Sequence, residues 1–320
     1  MGDVLGTFPE QTPCLEHNNS IYPGEGIECQ TCHMPHADGN VSISNVGTGF
    51  PAREPFSQHY FVGSNKTMLR LMKDNNDSLG ITASSSQFDD TITRLDDLLE
   101  NQTASLVIEN ASVEGNVLRL DIGIQQLAGH KFPTGFPSRR VWLHITVTSS
   151  AGGVIFESGK PAVDGSIDGC DADIDPGRYE PHYDTIYRQN QVQIYEAIMQ
   201  DPDSNVTYTL LRASEFVKDN RLLPLGFDIR NAAKGIAVKG AASNDADFLD
   251  GSDTVTYQVG TGAYYGPFTV RAELLMQTIS YRFIQDFYSD QNALADTFLQ
   301  LYDTGYTMPV LVASSELTIP

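Results

Sequence analysis

Residues 116–124 read NVLRLDIGI, and their alternation decides the fold class. Leu118, Leu120, Ile122 and Ile124 fall on one side of an extended chain, Arg119, Asp121 and Gly123 on the other. Successive side chains of a strand point to opposite faces, so the pattern predicts a strand with one buried side and one wet side. The same period recurs outward from it. RRVWLHITVTS (139–149) sets Val141, Leu143, Ile145 and Val147 against Trp142, His144, Thr146 and Thr148. PFTVRAELLMQ (267–277) turns Phe268, Val270, Ala272, Leu274 and Met276 inward. DTVTYQVG (253–260), QVQIYEAIM (191–199) and VTYTLLRA (206–213) are further strand candidates. Several one-sided strands joined by loops predict a mainly β fold, an antiparallel β-sandwich. YRFIQDFYSDQNALADTFLQLYD interrupts the β pattern with Ile284, Phe287, Tyr288, Leu294, Phe298 and Leu301 near one stripe. That spacing predicts an added C-terminal helix near 281–303.

The chain before residue 104 reads differently. Residues 1–63 are rich in Gly, Pro, Asn and His and show no sustained period. Such a segment buries little apolar surface and needs a staple. SNKTMLRLMKDN (64–75) predicts a helix capped by Ser64 or Asn65, and DDTITRLDDLLEN (89–101) a second one with Ile92, Leu95, Leu98 and Leu99 at helical spacing. The expected organisation is therefore a small irregular and helical region over 1–103, followed by a β-sandwich domain over 104–320.

Forty-one acidic against twenty basic residues give a net charge of −21. That excess argues against nucleic acid and against anionic membranes as partners. No apolar run is long enough for a membrane-spanning helix. The opening MGDVLGTFPEQ has neither a basic start nor an apolar run, so it does not read as a signal peptide.

ECQTCHMPHA (28–37) places Cys29, Cys32 and His33 in a C-x-x-C-H motif, the spacing of a c-type haem attachment site. Two cysteines on one helical turn reach the two vinyl groups, and the histidine that follows becomes the proximal iron ligand. A structural zinc site built from Cys14, His17, Cys29 and Cys32 is the rival reading. Covalent haem requires export, so the expected location is periplasmic or extracellular, the leader having been removed or Met1 opening a fragment of a longer chain. In such a compartment Cys14 and Cys170 form a candidate disulfide. For the second axial ligand, Met34 and His36 follow His33 too closely to round the porphyrin edge. His59, among Phe56, Tyr60 and Phe61 and just before the first helix, is the leading candidate, with His130 second. His17, His144 and His182 read as ordinary hydrogen-bonding histidines.

CQTCHMPH (29–36), HYFVGSNKTMLRLM (59–72) and AGHKFPTGFPSRRVWLHITV (128–147), in that order, resemble the C-terminal part of a bacterial multihaem c-type cytochrome. The resemblance implies haem c, bis-histidine ligation and electron exchange with other haem domains or redox proteins. It implies that His59 and His130 ligate haem or lie near it. This chain departs from the pattern by holding a single C-x-x-C-H, so partner haems would lie outside these residues.

DGSIDGCDADIDPGRYEPHYD (164–184) is the most acidic stretch. Asp171, Asp173 and Asp175 repeat the opening spacing of an EF-hand and make a candidate Ca²⁺ site, although Pro176 replaces the turn glycine. Lys131, Arg139 and Arg140 form a rare basic cluster, suited to haem propionates or to that acidic loop. The expected function is electron transfer through haem c, with no catalytic turnover of its own. The alternatives are a haem redox enzyme with an open iron, acting on nitrogen oxyanions or hydroxylamine, and a non-enzymatic extracellular module assembling as a homo-oligomer or filament.

Overall fold

The computed structural model of the chain describes residues 7–46, 49–290, 292–302 and 305–320. Four helices come first: α1 (Pro13–Asn18), α2 (Cys29–His33), α3 (Lys66–Asp74) and α4 (Ser85–Gln102). The Asn65 side chain caps α3 by accepting from the Met68 N–H at 3.1 Å. A reciprocal Ser84–Gln87 capping box opens α4. Each cap satisfies donors that the first helical turn leaves unpaired.

The rest of the chain is mainly β. The strands are β1 (Ala104–Glu114), β2 (Val117–Gln126), β3 (Arg140–Thr148) and β4 (Val154–Ser158). After a single helical turn, α5 (Asp171–Ile174), come β5 (Thr185–Ile186), β6 (Ile194–Gln200), β7 (Val206–Thr207), β8 (Glu215–Asp219), β9 (Ser252–Gly260) and β10 (Phe268–Gln277). Helices α6 (Tyr281–Ser289) and α7 (Ala293–Leu301) precede the last strand, β11 (Val310–Ile319). One sheet has the order β1-β2-β9-β5. The other runs β11-β10-β3-β6-β7, with β4 on β3 and β8 on β6. Among the described residues every strand pair is antiparallel except β5 with β9.

The core follows from the period-two alternation. Leu118, Leu120 and Ile122 of β2, and Val141, Leu143, Ile145 and Val147 of β3, are wholly buried. They join Val255, Tyr257, Val270, Ala272 and Leu274 in a core shared by both sheets. Register aligns these positions, Leu120 opposite Tyr257 and Leu143 opposite Leu274. A one-residue slip would turn every one of them to solvent. Leu95 and Leu99 of α4, with Val62, bury into the same core. Burying one leucine is worth about 2 kcal/mol, so this contact is a firm anchor for the N-terminal region.

Three sequence expectations meet corrections. The continuous helix over 281–303 is two helices, broken at Asp290, whose backbone is extended, with Asn292 capping the second through the Leu294 and Ala295 N–H groups. Residues 291 and 303 of that stretch lie outside the described residues. The strand expected over 206–213 shrinks to β7, because Leu210–Arg212 turns into a 3₁₀ helix and leaves Leu211 exposed. The Cys14–Cys170 disulfide is absent: Cys14 is exposed and Cys170 buried, and both are free thiols. Burial, reinforced by Asp173, pushes the Cys170 thiol up to about 12.

Candidate haem-binding site

The CxxCH segment forms a helix because its first turn is closed from both ends. The Thr31 N–H donates to the Glu28 carbonyl at 2.9 Å, and the Thr31 hydroxyl accepts from the Glu28 N–H at 3.2 Å. Residues three apart lie on one helical face, so Cys29 and Cys32 stand side by side. Both thiols are free and exposed. Partial burial, then the adjacent Cys29, push the Cys32 thiol above its ordinary value.

His33 ends this helix. Its Nδ1 lies 2.6 Å from the Val62 carbonyl oxygen. A carbonyl only accepts, so Nδ1 carries the proton and the lone pair sits on Nε2. His130 is arranged the same way, with Nδ1 3.0 Å from the Lys131 carbonyl oxygen. Among the described residues no protein group hydrogen-bonds either Nε2. The two rings are nearly parallel, 6° apart, with centres 6.1 Å apart. Two imidazole nitrogens sharing one metal ion at about 2 Å each put their ring centres about 6 Å apart. The spacing of the two rings matches that distance. Burial, the largest influence, pushes the His130 pKa down, against the carbonyl bond that favours its charge. Neutral imidazole is the ligating form.

The other five histidines are differently placed. His17 Nε2 lies 3.1 Å from the Ile27 carbonyl. His144 is spent on Glu273 and Glu157, at 3.0 and 3.2 Å, and His182 on Asp245 at 2.9 Å and on two side-chain amides. His36 is exposed and pairs through its backbone with Ser57. His59, expected opposite His33, is exposed and tilts against the exposed Phe61 instead. The segment 59–62, which turns at Phe61 with φ +48°, carries His33's carbonyl partner, Val62.

What holds His130 is a buried charge network. The Lys131 N–H and the Thr134 hydroxyl donate to Glu16 Oε2 at 3.1 and 2.9 Å. Lys131 Nζ donates to Asp219 at 2.8 Å, and Arg221 bridges Asp219 and Glu16 at 2.9 Å each. The four charges cancel, and all four residues are buried. Burial opposes the Asp219 charge, but Arg221 and then Lys131 outweigh it and hold the carboxyl well below the usual carboxylate range. Phe132 and Leu222 exchange two backbone bonds, at 2.9 and 2.8 Å, just beyond His130. Gly129 is needed for close approach: a Cβ there would sit 3.0 Å from the His17 ring. Gly135, at φ +84°, turns the chain where other residues would be strained.

The basic cluster divides. Lys131 joins this network, so it is not a propionate partner. Arg140 is buried and grips Asp173 through two bonds of 2.9 Å. That grip corrects the calcium expectation at Asp171, Asp173 and Asp175. Asp173 is committed to Arg140, Asp171 pairs with Arg178, and Asp175 caps the Gly177 N–H at 2.9 Å. The three carboxylates serve three separate partners. Of these three cations, Arg139 has no carboxylate partner; its Nη1 donates to the Thr134 carbonyl at 2.6 Å, and burial pushes its pKa down.

No protein-family profile and no curated protein matches the chain. Among solved structures, the penta-heme cytochrome c552 of Thermochromatium tepidum is similar, at 18% sequence identity and a TM-score of 0.48, over 94% of this chain and 50% of that one. The chain spans about half the length of that cytochrome. No helix among the described residues is long and apolar enough to cross a membrane.

Proposed function

We propose that the chain carries one haem c and transfers electrons through it. Cys29 and Cys32 would supply the two thioether sulfurs, and His33 and His130 would supply nitrogen ligands to the iron. The observation that carries this reading is the pair of near-parallel imidazole rings, each with Nδ1 on a backbone carbonyl, in a chain that carries two free thiols on one helical turn. When bound, haem supplies a one-electron couple between ferrous and ferric iron. The chain's own part is to present the two imidazoles. The Val62 and Lys131 carbonyls fix the tautomers, and the second-layer bonds fix the ring planes.

With both histidines as ligands the iron would serve electron transfer, which favours a carrier over the alternative of a nitrogen-oxyanion or hydroxylamine enzyme. Arg139, the cation without a carboxylate close to His130 in sequence, is the proposed propionate partner. The exposed His36, His59, Phe50 and Phe61 form the proposed contact face for a neighbouring haem domain in an exported assembly. Expression with a cytochrome c maturation system tests the reading. The intact mass should exceed the polypeptide by one haem, and the reduced protein should show a c-type α band. A bare polypeptide mass, or one raised by zinc alone, would sink it.

A further inference from the structure

A second polar cluster lies away from the histidine pair. Asp184, Asp245 and Asp247 each offer a carboxylate oxygen within 4.8 Å of the other two. They line an open cavity of about 410 Å³ beside His182 and Asn244. Like charges so close repel, and among the described residues no Lys or Arg pairs with any of them.

The layer beneath adds another negative group. Asp253 is fully buried in its side chain and sits with Asp245 around His182. One of its oxygens accepts from the Tyr195 hydroxyl. The other, Oδ1, is buried with no hydrogen-bond partner and stands 3.7 Å from His182 Nε2, the atom that also faces Asp245. A buried, half-satisfied carboxylate beside Asp245 is costly unless a cation sits nearby.

His182 does not supply that cation. Its Nδ1 accepts from Gln193 Nε2 at 2.8 Å and from Asn220 Nδ2 at 3.0 Å. Both amides are oriented by a second bond. The Gln193 oxygen accepts from the Tyr183 N–H at 2.7 Å, and the Asn220 oxygen accepts from the Glu196 N–H at 3.0 Å. With Nδ1 accepting, the single imidazole proton is on Nε2 and is donated to Asp245 at 2.9 Å. The ring is neutral, and its lone pair is already used. It orients Asp245 and cannot itself ligate a metal.

This chemistry selects the ion. Transition metals favour imidazole and thiolate, and neither is available here. Three carboxylates from two loops, in an open cavity with room for water, match a hard ion with a large, flexible oxygen shell. We propose that Asp184, Asp245 and Asp247 bind one calcium ion, with His182 positioning Asp245 and the buried Asp253 charge strengthening the site from below. This differs in place and in ligands from the 171–175 loop, whose carboxylates are committed elsewhere.

Calorimetric titration of the chelator-treated, full-length protein with CaCl₂ tests the proposal. The expected result is one Ca²⁺ per chain, with a raised unfolding temperature when Ca²⁺ is present. Asp247→Asn and Asp184→Asn alter exposed side chains that the fold does not need. Each should weaken binding at least about tenfold, whereas Asp175→Asn should leave it unchanged. No uptake up to about 1 mM Ca²⁺, or uptake unchanged by both cavity variants, would overturn it. So would loss of binding in Asp175→Asn alone.

Discussion

Asp219→Asn should loosen the loop that presents His130. The Asp219 carboxylate accepts from Lys131 Nζ at 2.8 Å and from Arg221 Nε and Nη2 at 2.9 Å each. The side chains involved are 0%, 1% and 7% exposed for Lys131, Asp219 and Arg221, so solvent screens little. Asparagine keeps the shape but removes the charge. It leaves two buried cations facing Glu16 alone. Removing one partner of a buried pair costs about 3–5 kcal/mol. Arg221 keeps its 2.9 Å bond to Glu16, so the low end, about 3 kcal/mol, is expected. That exceeds a hundredfold in the folded-to-unfolded ratio. Urea titration followed by circular dichroism reads it as a lower midpoint with an unchanged slope. The double variant Lys131→Met with Asp219→Leu removes both charges of the pair and should cost less than Asp219→Asn alone. A loss below about 1 kcal/mol would mean the pair behaves as a surface bridge, and the account of how His130 is held would fail.

Three further outcomes follow from the same geometry. Cys29→Ser with Cys32→Ser should abolish covalent haem on a denaturing gel, while either single change leaves one attachment. In the haem-free protein, burial lowers the His130 pKa, so the unfolded chain binds a proton that the folded chain refuses. Stability should then fall as pH drops through about 6.5 and level off below the folded pKa, and His130→Gln should flatten that slope in denaturant midpoints taken across pH 5 to 8. Arg140→Met strands the buried Asp173 carboxylate and should cost about 3–5 kcal/mol in calorimetric unfolding, with no change in the haem spectrum.

The β architecture was legible because burial on one face writes itself into a strand at period two. The positions read inward on β2, β3 and β10 are the ones in the shared core. The break between α6 and α7 was not legible, since Ser289, Asp290 and Asn292 are polar residues that an amphipathic helix tolerates. The C-x-x-C-H spacing was readable at once. His130 was named only as a second candidate, because its 97-residue separation from His33 leaves no local trace of their nearness. His59 attracted attention through its aromatic neighbours; its ring lies 5.7 Å from that of the exposed Phe61. Glu16, Asp219 and Arg221 escaped notice for the same reason: a buried ion network assembled from three distant segments has no periodicity. The acidic loop misled in the opposite direction. Its Asp spacing suggested calcium, whereas Arg140, thirty-three residues from Asp173, had already claimed the central carboxylate.

Electron paramagnetic resonance of the ferric protein tests the central claim most directly. Two imidazoles with nearly parallel planes predict a rhombic low-spin signal. His130→Ala should convert it to high spin, and His59→Ala should leave it intact. A low-spin signal that survives His130→Ala and disappears in His59→Ala would contradict the account.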